Sequence, residues 1–201
     1  MKKKICIILF SLLFILFLTL YLTNNINSFD NYFYNLIISL KSDGFTKFML
    51  LITHLASTKF IMIIMFIFLC KYFISKKRIY LITDIIILGE TIINSTLKII
   101  IGRERPTLIN LVTETSYSFP SGHTMVAVVL YGFLIYLINK SKMNKYLKIV
   151  LNSLLIILII LIMMSRIYLG VHYASDVFAG MSLSIAYLIF IIDLLERRKL
   201  I

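Results

Sequence analysis

Ser165-Arg166-Ile-Tyr-Leu-Gly-Val-His172-Tyr-Ala-Ser-Asp176 separates two apolar runs, residues 149–164 and 173–195, each of a length that crosses a bilayer. Polar residues caught between two such runs are held near one membrane surface. If the second run is helical from about His172, His172 and Asp176 stand four residues apart on one helical face. A carboxylate there holds the imidazole in one tautomer, as a nucleophile or general base requires. Arg166, across the turn, offers an anion a planar fork of donors. The same residues would equally mark the place where two helices leave the lipid, and the stretch alone does not separate the two readings.

The rest of the chain carries the same pattern. Of its 201 residues 60% are hydrophobic, with a mean hydropathy of +0.97, and the apolar residues come in long runs rather than amphipathic stripes. This composition excludes an ordinary soluble domain and marks an integral membrane protein. No linker or low-complexity tract divides it, so residues 1–201 are expected to form one domain. The formal charge of +12 lies in short segments between apolar runs and not on a soluble face, which argues against a nucleic-acid partner. Cys6 and Cys70 fall at expected cytoplasmic helix ends and are read as packing residues.

Working outward gives six spans: about residues 5–23, 56–75, 79–101, 121–139, 149–164 and 173–195. The first follows Lys2, Lys3 and Lys4; lacking a small-residue cleavage site, it reads as a retained helix and not a signal peptide. Residues 24–47 are polar and mixed, with an amphipathic piece near 32–40, and 48–55 reads as a further interfacial segment. The third span is unusual, because Asp84, Glu90, Asn94 and Lys98 interrupt it. The last three share one face at four-residue spacing, which should point into the bundle. For Glu90 and Asn94 an interhelical network is the first reading.

About two thirds of the Lys and Arg residues lie at the N-terminus, in the 71–78 and 140–148 turns, and at the C-terminus. The positive-inside bias therefore predicts an all-α bundle of six transmembrane helices with both termini cytoplasmic. That topology, argued without reference to any motif, sends residues 98–105, 120–123 and 166–176 to the same extracytoplasmic side. There Lys98, Arg103, Arg105 and Arg166 would repel one another in a partly desolvated pocket unless an anion sat among them. Pro120-Ser121-Gly122-His123 reads as a turn feeding a helix N-terminus, a place where backbone N–H groups bind phosphate. Two histidines allow one to attack phosphorus and the other to protonate the leaving oxygen.

Lys98-Ile-Ile-Ile-Gly-Arg-Glu-Arg105-Pro106 resembles the first motif of the type 2 phosphatidic acid phosphatase family, KxxxxxxRP. Pro120-Ser121-Gly122-His123 is similar to its second, PSGH, and Ser165-Arg166 through His172 to Asp176 to its third, SRxxxxxHxxxD. The motif core spans residues 98–176. The resemblance implies that His172 is the nucleophile, passing through a phosphohistidine, that Asp176 orients it, and that His123 protonates the leaving group. It implies that Lys98, Arg105 and Arg166, with Ser121 and the Gly122 amide, hold the phosphoryl oxygens, while Pro106, Pro120 and Ser165 shape turns. These roles suit phosphoryl transfer, where positioning and charge stabilisation dominate.

The expectation is thus a multi-pass enzyme of the cytoplasmic membrane that hydrolyses a lipid phosphate at the extracytoplasmic side. It would work without cofactor or metal, since no acidic cluster is expected on that side. Its partners would be the lipid substrate and surrounding membrane lipids. An isoprenyl pyrophosphate such as undecaprenyl pyrophosphate is the first choice of substrate, ahead of phosphatidylglycerol phosphate and phosphatidic acid. Two rivals are kept: a phosphotransferase using the same phosphoenzyme, and a transporter or binding protein for anionic headgroups. Arg103, at a variable position of the first motif, reads as a rim charge, and His54 as an interfacial hydrogen-bonding residue.

Overall fold

The computed structural model describes residues 2–107, 111–112 and 114–200. These form eight α-helices and no strand: α1 Lys2–Leu22, α2 Asn27–Ile38, α3 Asp43–His54, α4 Thr58–Ser75, α5 Arg78–Ile101, α6 Gly122–Lys140, α7 Lys145–Tyr168 and α8 Ala174–Arg197. Helix starts follow the local chemistry. Ser42 and Ser57 accept from the backbone N–H of Phe45 and Phe60, and Asn144 accepts from Tyr146 and Leu147, each satisfying donors that a helix leaves unpaired.

α6 is the axis of the bundle. It packs against α5, α7 and α8, while α1 runs along α8, α4 along α5, and the short α2 and α3 lie against α7 and α8. From Thr124 to Leu130 every residue of α6 is buried. In contrast, α1 buries only Phe17 and turns Ile5, Ile8, Leu9, Leu12 and Leu16 outward. Lipid tails are as apolar as these side chains, so helix association here depends on close packing more than on removal of apolar surface from water. Small residues supply that closeness on α8, where Ala174, Ser175, Ala179, Gly180, Ser182, Ser184 and Ala186 are all buried. A Cβ on Gly180 would stand 3.1 Å from the Ser121 carbonyl oxygen, so α8 and the start of α6 meet where only glycine fits comfortably.

The chain is a multi-pass membrane protein. Five stretches among the described residues are long and apolar enough to cross: Lys2–Leu22, Asp43–Ser75, Gly122–Lys140, Lys145–Tyr168 and Ala174–Arg197. Helix α5, the expected third span, runs its full 24 residues but keeps Asp84, Glu90, Asn94 and Lys98 buried, and its charge sets it apart from the other five. The expected interfacial pieces become two defined helices, α2 and α3, and α3 stacks Phe45 edge-on against Tyr168 of α7. The expected fifth span stops at Met164, yet α7 continues through Ser165 and Arg166 to Tyr168, because Arg166 faces inward to partners. At one end of the bundle Glu196 of α8 gathers Lys3 of α1 together with Tyr136 and Lys140 of α6, bringing the start of the first helix and the end of the last together.

Candidate active site

The other end, where α5 and α7 finish and α6 and α8 begin, collects the three motifs. A single cavity of about 450 Å³ is lined there by Lys98, Arg105, Gly122, His123 and His172, with Glu114 and Ser116 from the loop before α6. It continues down between α4 and α5, where Ile61, Met62 and Met65 face Glu90, Thr91, Asn94 and Ser95.

His172 lies in the turn between α7 and α8. The helix begins at Ala174 and not at His172, so the expected pairing along one helical face does not occur. Instead Asp176, in the first turn of α8, reaches back. Its Oδ2 accepts from the Tyr173 N–H at 3.0 Å and lies 3.4 Å from His172 Nδ1. This is the carboxylate half of a capping arrangement, and it brings the imidazole and carboxylate together all the same. On the far side of the ring Arg105 Nη1 is 3.2 Å from His172 Nε2. A guanidinium can only donate, so Nε2 is the unprotonated nitrogen and Nδ1 carries the proton towards Asp176. Burial, reinforced by Arg166, Arg105 and Lys98, holds the His172 pKa well below its ordinary value, and the ring is neutral at neutral pH.

The cations are held by the loop that precedes α6. Arg105 donates through Nε to the Ser116 carbonyl at 2.6 Å and through Nη1 to the Val171 carbonyl at 2.7 Å. Lys98 donates to the Tyr117 carbonyl. Arg166 is buried and donates to Thr53 Oγ1 at 2.6 Å and to Glu114 Oε1 at 2.5 Å; its Nε has no hydrogen-bond partner among the described residues. Glu114 is thus the anion that such a group of cations demands. At the head of α6, Asn94 Nδ2 donates to the Pro120 carbonyl at 3.1 Å, and a Cβ on Gly122 would come within 2.9 Å of Asn94 Oδ1. Asn94 therefore ties α5 to the Pro120 turn. Neither Arg166 nor Ser121, both expected phosphate ligands, lines the cavity. Ser121 is fully buried, and its Oγ accepts from Thr124 Oγ1 at 3.0 Å.

Arg103 overturns its expected place at the rim. It is 5% exposed, and its guanidinium reaches Asp176 Oδ1 at 2.6 Å and Asp30 Oδ2 of α2 at 2.8 Å. Sequence reasoning missed Asp30, Thr53 and Glu114, which belong to no motif. Their local sequence carries no signal for these pairings; the structure shows the buried Asp176 carboxylate offset by Arg103, and Arg103 in turn by Asp30. His54 is exposed at the end of α3 and does not line the cavity.

A helical membrane protein with these three motifs converging at one end of its bundle belongs to a recognised class: the PAP2 superfamily matches residues 79–200, and the chain is a member of it. It is 30% identical over 191 residues to phosphatidylglycerophosphatase B of Bacillus subtilis, covering 92% of this chain and 91% of that one. Among solved structures it is similar to the transmembrane PAP2-type phosphatidylglycerolphosphate phosphatase of Bacillus subtilis, with a TM-score of 0.87 at 28% identity and 98% of each chain covered. LpxE of Aquifex aeolicus shares the fold, with a TM-score of 0.63 at 24% identity over 80% of this chain and 92% of that one.

Proposed function

We propose that the chain is a lipid phosphatase that works through a phosphohistidine on His172. The observation that carries this reading is the imidazole held between Asp176 and Arg105 in the cavity that Lys98 and His123 also line. His172 Nε2 attacks phosphorus, the bond to the lipid oxygen breaks, and His123 gives that oxygen its proton. Water then attacks the phosphohistidine, returning a proton to His123 and releasing inorganic phosphate. Lys98, Arg105 and Arg166 stabilise the phosphoryl oxygens, with the free N–H groups at the Gly122 end of α6. Ser121 shapes that end from within. The cations perform the neutralisation, so turnover needs no metal.

In this reading residues 1–201 act as one domain, with α1, α4, α5, α6, α7 and α8 crossing the membrane and both termini in the cytoplasm. The cavity then opens on the extracytoplasmic side. Phosphatidylglycerol phosphate now stands ahead of the isoprenyl pyrophosphate as substrate. The similar proteins of Bacillus subtilis bear that activity in their names. The cleft below the cations also favours it: Glu90, Thr91, Asn94 and Ser95 give one wall polar groups, suited to a headgroup with hydroxyl and phosphodiester oxygens below its terminal phosphate. An isoprenyl chain is apolar from its first carbon.

The test is phosphate release by the purified protein from phosphatidylglycerol phosphate, undecaprenyl pyrophosphate and phosphatidic acid, in detergent with EDTA, beside His172→Ala. Release that survives EDTA, is fastest on the first lipid and vanishes in the variant is expected. Label passing to a lipid acceptor instead of water would make the protein a phosphotransferase. Full activity in His172→Ala would overturn the covalent mechanism.

A further inference from the structure

Behind the cavity, and forming no part of it, lies a buried ionic assembly that joins Asp176 of the third motif to Arg103 and Asp30, two residues to which the motifs assign no role. Arg103 sits at its centre. One arm of the guanidinium donates to Asp176 Oδ1 at 2.6 Å and Ser175 Oγ at 2.7 Å, and the other to Asp30 Oδ2 at 2.8 Å. Asp30 also accepts from the Ser175 N–H at 2.8 Å and from Ser175 Oγ at 2.9 Å. Tyr173 and Tyr21 lie on the guanidinium at 4.0 and 4.6 Å from their ring centres. The side chains of Asp30, Arg103 and Asp176 are 5%, 6% and 0% exposed.

We infer that Asp30 and Arg103 are positioning residues, which fix the Asp176 carboxylate so that its second oxygen aligns His172 for attack. The inference rests on the phosphatase reading above. Asp176 Oδ2 already serves the Tyr173 N–H and the imidazole, so the orientation of the carboxylate is set by what grips Oδ1, and that is Arg103. Arg103 is in turn fixed by Asp30, three sequence-remote elements being joined through one planar group. Burying two carboxylates and a guanidinium is costly, and hydrophobic replacements often stabilise such sites as well or better. An assembly placed one bond from the attacking imidazole has a second use in geometry, because small displacements of reacting groups cost large factors in rate. Asp30 accepts from three donors, so an asparagine there must turn its own NH₂ towards a donor.

The experiment compares Asp30→Asn, Asp30→Ala and Arg103→Lys with wild type in phosphate release from phosphatidylglycerol phosphate. Each protein is also assayed for competitive inhibition by inorganic phosphate and for thermal melting in the same detergent. Arg103→Lys keeps the charge but not the fork that spans two carboxylates. A fall in kcat of about tenfold or more is expected in all three, with KM and the inhibition constant for phosphate within about twofold of wild type. Unimpaired kcat beside an active wild type would overturn this inference alone. Losses of kcat, phosphate inhibition and melting temperature together would overturn it in favour of a purely structural clamp between α2 and α8. Absence of phosphate release from the wild type would overturn the phosphatase reading and this inference with it.

Discussion

Glu114 invites the sharpest test of the electrostatics. Its carboxylate lies 2.5 Å from the Arg166 guanidinium, in the cavity lined by Lys98 and Arg105. A substrate phosphoryl group gathering the same cations must displace or share that contact. Replacing Glu114 by Gln removes the competing charge and keeps the shape. The Arg166 side chain is 1% exposed but that of Glu114 is 26% exposed, so solvent screens the pair on one side. Its net worth is therefore nearer that of an exposed ion pair, about 1 kcal/mol, than the gross Coulomb attraction. At about 1.4 kcal/mol per decade, this corresponds to roughly fivefold in affinity. Glu114→Gln should lower the competitive inhibition constant of inorganic phosphate about fivefold at neutral pH, measured against phosphate release from a soluble lipid analogue, with kcat within about twofold. The gain should shrink as salt is added, because the missing repulsion is partly screened. An unchanged or weaker affinity for phosphate would refute the competition, and would assign Glu114 to holding Arg166 in place.

Three further outcomes follow from the same geometry. His123→Ala should cost about a hundredfold or more in kcat on lipid phosphates and far less on aryl phosphates with good leaving groups, since leaving-group protonation is what it removes; equal losses on both would contradict that role. Gly122→Ala should lower stability by about 1–3 kcal/mol, read as a drop in melting temperature, because the new methyl meets Asn94 Oδ1 at 2.9 Å beside the Pro120 turn. Activity should persist to lower pH than an ordinary histidine allows. Lys98 from α5, Arg105, Arg166 from α7 and His123 from α6 face the buried His172, against Asp176 from α8 and Glu114, and its pKa is depressed. As pH falls, His172 stays neutral until its depressed folded-state pKa is reached, so the acidic limb of kcat/KM belonging to this group should lie below about 6.5 and move up in Arg105→Gln. The associated stability is complete above the unfolded-state value and is lost as pH falls through the folded one.

The long apolar runs gave up their helices within a few residues, because a span in lipid must satisfy every backbone group internally and only length and composition enter. The convergence of Lys98, Arg105, His123, His172 and Asp176 was legible for a related reason: the basic turns alone put their segments on one side. What stayed hidden depended on contacts across the chain. Arg166 looked like a span boundary, yet it continues α7 because Thr53 and Glu114 receive it. Asp30 looked like part of a polar surface segment, yet its donors come from residues 103 and 175. No local periodicity encodes such pairs. The pairing of His172 with Asp176 was anticipated on the wrong ground, since it arises from a helix start and not from a shared helical face.

The buried polar face of α5 also bears on how this chain enters a bilayer during synthesis. A lone segment with Asp84, Glu90 and Lys98 is a poor candidate for partitioning into lipid, each charge near a span's centre costing about 2.5–3.5 kcal/mol. Its neighbours α4 and α6 carry the apolar weight and the groups that cover it. On the proposed topology, helix α5 should therefore be released into the membrane only with α6 beside it, and halting synthesis before α6 emerges should leave it accessible from the aqueous side.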